Sequence, residues 1–400
     1  MTDPWSAFVA AAARAEVAGY FESAPRPSGD PTGRAVWFDR ADQVVTVRRA
    51  TDLRTLARDG ARHLRAAPSR AVLGYLGFEA VGLFEPALAG ARLAGPFPLG
   101  EFALVDRAHA ARLPPRRLDR RPAPRLRLPP PRSDSLAGAR YARSVRRLIA
   151  DIRDGEAFQV VLAHRRRWVR PPDLLRRAGD LRARERYAFF YYLQFGPRVV
   201  VGASPESVLE VDGRSAFVNP IAGTRPTGRG RAGRRPLEAD AKELAEHRML
   251  VDLARNDLGR VARPGTVRVL VSERRERFAR LEHLVSHVGA RLAPGVGPWE
   301  ALAAAFPAGT VSGAPKIRAV ELLRREERTW RGPYAGTVGL LRPRDRATWA
   351  LTIRSGFAAG RDLYTAAGSG IVHRSRPARE FQETRTKLAQ VEASLVGELP

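Results

Sequence analysis

The chain has 400 residues and 44% hydrophobic content, enough to bury a sizeable core and too apolar for disorder over most of its length. Lys and Arg number 69 against 42 Asp and Glu, a formal net charge of +27, and only Lys242, Lys316 and Lys387 are lysines. That balance fits either arginine-favouring codon usage or a nucleic-acid surface. The absence of cysteine excludes disulfides, thiolate metal sites and a cysteine nucleophile in this chain, and it fits a reducing compartment.

The first residues are acidic at Asp3 with no basic segment ahead of the apolar stretch, so no signal peptide is expected. No apolar run is long enough for a membrane span, and a cytoplasmic protein is predicted. The segment AVLGYLGFEAVGLFE (71–85) reads as buried strand and turn. An Arg- and Pro-rich stretch at 112–135 disfavours helix and reads as a linker between an N-terminal region, 1–111, and a catalytic domain, 136–400.

Ser135 is a candidate N-cap for a helix carrying Tyr141, Val145, Leu148 and Ile152, with Gly155 as its stop. FQVVLA (158–163), YAFFYYLQFG (187–196) and RVVVGAS (198–204) read as strands, and 240–258 and 378–395 as helices. Strands and helices come in mixed order, which predicts an α+β fold rather than a doubly wound sheet.

Two Glu-x-x-Glu pairs carry the first chemical signal: Glu243 with Glu246, and Glu380 with Glu383. Three residues apart on a helix, each pair shares a face, and like charges there want a cation. If the two helices face each other, four carboxylates form a hard-oxygen environment suited to Mg²⁺, with water and substrate completing its shell. Solvated helix faces are the plainer reading of either pair alone.

The three lysines fall in or near the same segments, where a point charge would serve better than a guanidinium. AAGSGIV (366–372) and PAGTVSGAPK (307–316) could present backbone N–H groups to an anion, although neither has the spacing of a nucleotide-phosphate loop. Arg354 lies within the apolar run WALTIRSGF, where an anionic substrate would partner it.

Eight ordered segments, FQVVLA, GASPESVLEV, NPIAGTRPTG, KELAEHRMLVDLARNDLGRV, LEHLVSHV, FPAGTVSGAPKIRAVELL, GPYAGTVG and AGSGIV…EFQET, resemble those of the chorismate-utilising enzymes. Within that family the resemblance points to the large subunit of anthranilate synthase. It implies large antiparallel sheets flanked by helices around a central cleft that holds chorismate and Mg²⁺.

Carried over residue by residue, it implies Glu246 and Glu383 as metal ligands, with Glu243 and Glu380 close by. It implies Glu206 as the general acid that helps the ring hydroxyl depart, and His283 and Thr310 as helpers in the later loss of pyruvate. Tyr334, Arg354 and the Gly368, Ser369 and Gly370 amides would hold the enolpyruvyl carboxylate, and Lys387 the ring carboxylate.

Sub-family assignment by resemblance rests on a few positions. Gln159 stands where water-using relatives carry a lysine, which favours ammonia as nucleophile. Ala222 stands where many 4-amino-4-deoxychorismate synthases carry a nucleophilic lysine. The expected reaction is therefore amination of chorismate followed by pyruvate elimination to anthranilate, with ammonia from a separate glutamine amidotransferase subunit.

The alternatives are a 4-amino-4-deoxychorismate synthase or an aminodeoxyisochorismate synthase of specialised metabolism. The family's tryptophan-feedback segments are altered here to YFES (20–23) and ERYAFF (185–190), which argues against feedback inhibition. A nucleic-acid-binding protein is the rival from another class. No aromatic–basic interleaving or reader motif supports it, so no specific nucleic-acid partner is expected.

Overall fold

A computed structural model describes residues 3–24, 33–90, 94–113, 128–185, 188–226, 241–278 and 281–397; for 222–226, 241–242, 277–278 and 281 it describes the backbone alone. Most of the Arg- and Pro-rich stretch, 114–127, lies outside the described residues, as do residues 186 and 187 of the second altered segment. The fold is α+β, as the mixed order of elements predicts: two ten-stranded sheets, paired antiparallel throughout, with helices packed on them.

Strands from both ends of the sequence share each sheet. In the first sheet, Val17–Ser23 pairs with Phe189–Phe195, and Gln159–Val169 with Asp362–Ile371. In the second, Ala71–Leu76 pairs with Thr337–Arg342, and Ser207–Asp212 with Arg346–Leu351.

Strand alternation explains where the core sits. Phe21, Tyr191 and Leu193 face inward and join Leu73, Tyr75, Phe102 and Trp349 of the second sheet in one apolar cluster. Their neighbours Tyr20, Phe190 and Tyr192 face outward and pack beneath Trp5 and Phe8 of the first helix, Pro4–Ala12. A polar clasp ties the sheets: Arg198 of the first donates to Glu101 of the second at 2.8 Å (Nε) and 2.5 Å (Nη2), and the Tyr75 hydroxyl donates to the same carboxylate at 2.9 Å.

Most predicted elements appear within a few residues of their expected bounds. Ser135 is not the N-cap; the helix is Ala139–Arg153, capped at Gly138 with φ 52°, and Ser135 Oγ instead accepts from the amide of Arg165 at 2.9 Å. Gly155 ends the turn as expected, at φ 85°. The glycine-rich segment AAGSGI (366–371) is extended and ends the strand Asp362–Ile371.

Gly339 lies against Trp349, where a Cβ would sit 2.0 Å from the indole. Gly339→Ala should therefore destabilise the protein by about 1–3 kcal/mol through overpacking, read as a lower midpoint in denaturant unfolding.

Candidate active site

Two neighbouring crossings between the sheets build the site. The chain leaves the first sheet at Ser204 and enters the second at Ser207, then returns from Leu351 to Ser355. Glu206 lies in the first crossing and Arg354 in the second, and the Leu351 amide donates to the Glu206 carbonyl at 3.0 Å. A cavity of about 520 Å³ opens at this seam, a volume suited to a small-molecule ligand.

Glu206 is buried, and burial pushes its carboxyl up to about 8, opposed only by the Thr310 hydroxyl, which donates to it at 2.8 Å. At neutral pH it therefore carries a proton over the cavity. The raised value comes from desolvation, not from a neighbouring carboxylate cluster.

The helix Ala241–Gly259 brings Glu243 and Glu246 to the cavity, and the helix Pro377–Leu395 brings Glu380, Glu383 and Lys387. All four carboxylates line the same cavity. Among the described residues, however, no three His, Asp or Glu are grouped closely enough to hold a metal ion by themselves. Lys387 donates to Glu383 at 2.6 Å and to the Gly368 carbonyl at 2.9 Å.

Gln159 is buried at the cavity wall and donates from Nε2 to Glu246 Oε1 at 3.0 Å. It lies across Gly370, where a Cβ would meet its amide at 2.5 Å, so a larger residue there would push the Gln159 amide aside. Tyr334 is fully enclosed and its hydroxyl is pushed up to about 12 by burial, so it stays a neutral donor. Arg354 holds φ at 51°, a left-handed backbone that non-glycine residues adopt at a cost, and its buried Nε has no hydrogen-bond partner among the described residues. Such a donor is poised for an anion entering the cavity.

Gly368 and Gly370 face the cavity but Ser369 does not. Alternation turns Ser369 to the opposite face, where its hydroxyl meets that of Tyr141 at 2.7 Å. His283 lines the cavity from the strand Leu281–Arg291. Ala222 pairs through its backbone with Leu284, and its side chain lies outside the described residues, as does that of Lys242.

Lys316 is not at the cavity: buried, it donates to Asp257 at 2.9 Å and to the carbonyls of Ala304 and Ala305, pinning the helix Lys316–Glu327 in place. Sequence reasoning missed Val161, Val311, Ser375, Thr386 and Gln390, which also line the cavity. Thr386 and Gln390 fall three and seven residues after Glu383, so helical periodicity could have found both.

The chorismate binding enzyme family matches residues 27–393, and the chain belongs to that family. Anthranilate synthase component 1 of Streptomyces coelicolor is 45% identical over 261 residues, covering 63% of this chain and 50% of that protein. The relative of the same name in Methanothermobacter thermautotrophicus is 43% identical over 260 residues, 64% of this chain and 56% of its own length. The chain thus spans about half the length of these curated relatives.

Among solved structures, anthranilate synthase component I from Streptococcus pneumoniae superposes with a TM-score of 0.72 at 27% identity, covering 93% of this chain and 89% of that one. A putative 2,3-dihydroxybenzoate-specific isochorismate synthase from Bacillus anthracis shares the fold, with a TM-score of 0.75 at 21% identity over 96% and 97% of the two chains.

The raised Glu206 carboxyl makes a stability prediction with a definite sign. Folding holds its proton up to about pH 8, whereas an ordinary Glu loses it near 4.5, so the native state grows less stable as pH rises through that window and levels off above it. Glu206→Gln carries no buried charge at any pH. Its denaturation midpoint should be close to that of the unsubstituted protein at pH 5 and pull ahead by pH 9; parallel curves would contradict the assignment.

Proposed function

We propose that this chain aminates chorismate with ammonia and then eliminates pyruvate to give anthranilate. The observation that carries the reading is Glu206: a buried carboxyl that keeps its proton at neutral pH, aimed into a cavity that also presents Arg354, Tyr334 and Lys387. Chorismate brings two carboxylates and a poor leaving group, hydroxide. A cavity for it needs cationic and N–H donors for the first and a general acid for the second.

In this reading Glu206 gives its proton to the ring hydroxyl as the C–O bond breaks, so that water leaves. The ring double bonds shift, and ammonia forms the new C–N bond beside the ring carboxylate. Gln159 offers an amide that neither gains nor loses a proton near neutral pH, so water has no base at that position and ammonia is the nucleophile. The carbon that gained nitrogen then loses its hydrogen as the enolpyruvyl ether bond breaks, releasing pyruvate and leaving an aromatic amine. His283 and Thr310 attend this second step. Arg354, Tyr334 and the Gly368 and Gly370 edge hold the enolpyruvyl carboxylate, and Lys387 the ring carboxylate.

Mg²⁺ belongs to the same proposal, supported by the hard-oxygen chemistry of the donor set. Glu246 and Glu383 offer hard oxygens with Glu243 and Glu380 lining the same cavity, and Mg²⁺ commonly takes only one or two carboxylates, keeping water and substrate oxygens for the rest. When bound it would supply positive charge for the ring carboxylate. The names of the curated relatives, component 1, support a separate subunit as the ammonia source. The hydrolysis of a glutamine amide commonly uses a thiolate, and this chain has no cysteine.

The test is incubation of the purified chain with chorismate, ammonium and Mg²⁺, with the product identified by mass and fluorescence. Anthranilate should form with ammonium and not with glutamine alone, and Glu246→Gln or Glu383→Gln should remove most of the rate while leaving folding intact. The rate should climb with pH as more NH₃ exists and turn down as Glu206 ionises near pH 8. A para-substituted amine as product would move the chain to the 4-amino-4-deoxychorismate branch, and full activity in excess chelator would remove the metal from the proposal.

Feedback regulation by tryptophan is absent in this reading. Tyr20 and Phe190 of the altered segments are core, packed edge-on and tilted among Trp5, Phe8 and Tyr192, and Arg182 already pairs with Glu22 at 2.7 Å and with Asp3 at 2.8 and 2.9 Å. An amino acid could enter only by displacing these groups. Millimolar tryptophan should leave the rate nearly unchanged, and strong competitive inhibition would show that a pocket forms there after all.

A further inference from the structure

A guanidinium sealed from water must place its five N–H donors, and a plane of fixed donors dictates where the acceptors stand. Arg331 is 4% exposed. Its Nε and Nη2 donate to the two oxygens of Glu327 at 2.8 and 2.5 Å. Nη1 donates to the Val311 carbonyl at 2.8 Å, and Nη2 also donates to the Val161 carbonyl at 2.7 Å. The group lies 4.4 Å from the Phe78 ring, and its own amide donates to Glu79 at 2.6 Å.

Both carbonyls belong to cavity-wall residues, while Arg331 itself does not reach the cavity. Val161 follows Gln159 by two residues and pairs with Gly370. Val311 follows Thr310, whose hydroxyl is bonded to Glu206. The Val161 amide donates to the Ser312 carbonyl at 3.0 Å, so the same two segments are joined twice. Glu327 completes the clamp by accepting from the Ala163 amide at 2.9 Å.

Burial alone obliges the donors that Glu327 leaves over to find acceptors; what sets this arrangement apart is that both acceptors belong to walls of one cavity, so the guanidinium ties those walls together.

We infer that Arg331 is a positioning residue for the reaction proposed above, setting through the Val161 and Val311 carbonyls the angle at which Thr310 meets Glu206. The inference rests on that reading of the cavity for its kinetic consequences and on geometry alone for the rest. Lysine keeps the charge at this position but lacks the planar fork, so Arg331→Lys loosens the turn at 310–312 without removing the cation. Glu327→Gln, nearly isosteric, loosens the clamp from its other side. Loosening the Thr310 bond takes away the contact that opposes the burial shift of Glu206, so its titration moves upward.

The experiment measures Arg331→Lys and Glu327→Gln, each alone and combined with Thr310→Val, by two readouts. The first is steady-state turnover of chorismate with ammonium and Mg²⁺. The second is the titration of the Glu206 carboxyl by infrared difference against Glu206→Gln, which needs no turnover. Either single variant should lower kcat roughly tenfold or more with KM changed by less than about threefold, and should raise the Glu206 titration. In the Thr310→Val background neither should do anything further.

Losses that add to those of Thr310→Val, or an unmoved Glu206 titration, would overturn the inference and leave Arg331 a structural residue. Should Arg331→Lys fail to fold, Glu327→Gln decides the matter by the same readouts. No turnover in the unsubstituted protein would fell the functional reading instead, while the infrared titration would still decide the role of Arg331.

Discussion

The structure depends on a carboxyl kept out of water at the seam between two sheets. Glu206 sits where the chain passes from one sheet to the other, and among the described residues the Thr310 hydroxyl is what opposes its burial, not a cation. The cheaper state for such a group is protonated. Everything that seals the seam therefore also keeps the acid charged with its proton. The return crossing at Arg354 closes the other side, and the inter-sheet clasp of Arg198, Glu101 and Tyr75 holds the two sheets together elsewhere along the same interface.

The cavity around that acid is built of opposites held apart. Four carboxylates come from two helices, while Arg354 and Lys387 approach from the sheet edge and from one of those helices. Lys387 is already engaged with Glu383 and Gly368, and Gln159 with Glu246, so part of the charge is quenched before any ligand enters. Arg354 is different: its strained backbone and its Nε, unmatched among the described residues, spend folding free energy on a donor that an incoming acceptor would satisfy. Arginine richness in the rest of the chain says nothing of the kind, since most of those side chains lie on solvated faces.

Much of this was legible in the sequence because it is periodic. The Glu243–Glu246 and Glu380–Glu383 spacing placed each pair on one helix face, and the apolar runs at 158–163 and 198–204 placed two strands of the first sheet. What the sequence hid was long-range. Nothing local says that Ser204 and Ser207 belong to different sheets, and so nothing local says that Glu206 is desolvated. Glycine is a turn former in isolation, yet strand pairing with Gln159–Val169 holds 366–371 extended and turns Ser369 away from the cavity. Lys316 drew attention by its rarity and proved to be a buried helix pin, which no count of lysines could separate from a ligand-binding role.

The outer face of the first sheet adds a last constraint. The strand Phe189–Phe195 gives Tyr191 and Leu193 to the inter-sheet core and Phe190 and Tyr192 to the outer one, so the two cores share a backbone. The same strand pairs with Arg198–Ser204, whose end leads directly into Glu206. Trp5, Phe8 and Tyr20 fill the outer face, and Arg182, Glu22 and Asp3 close its polar edge, so the strand is held from both sides in the arrangement seen. A sheet that responds to a ligand on its outer face needs two packings of similar free energy. Here the aromatic side chains favour one, and the position of the buried acid follows from it.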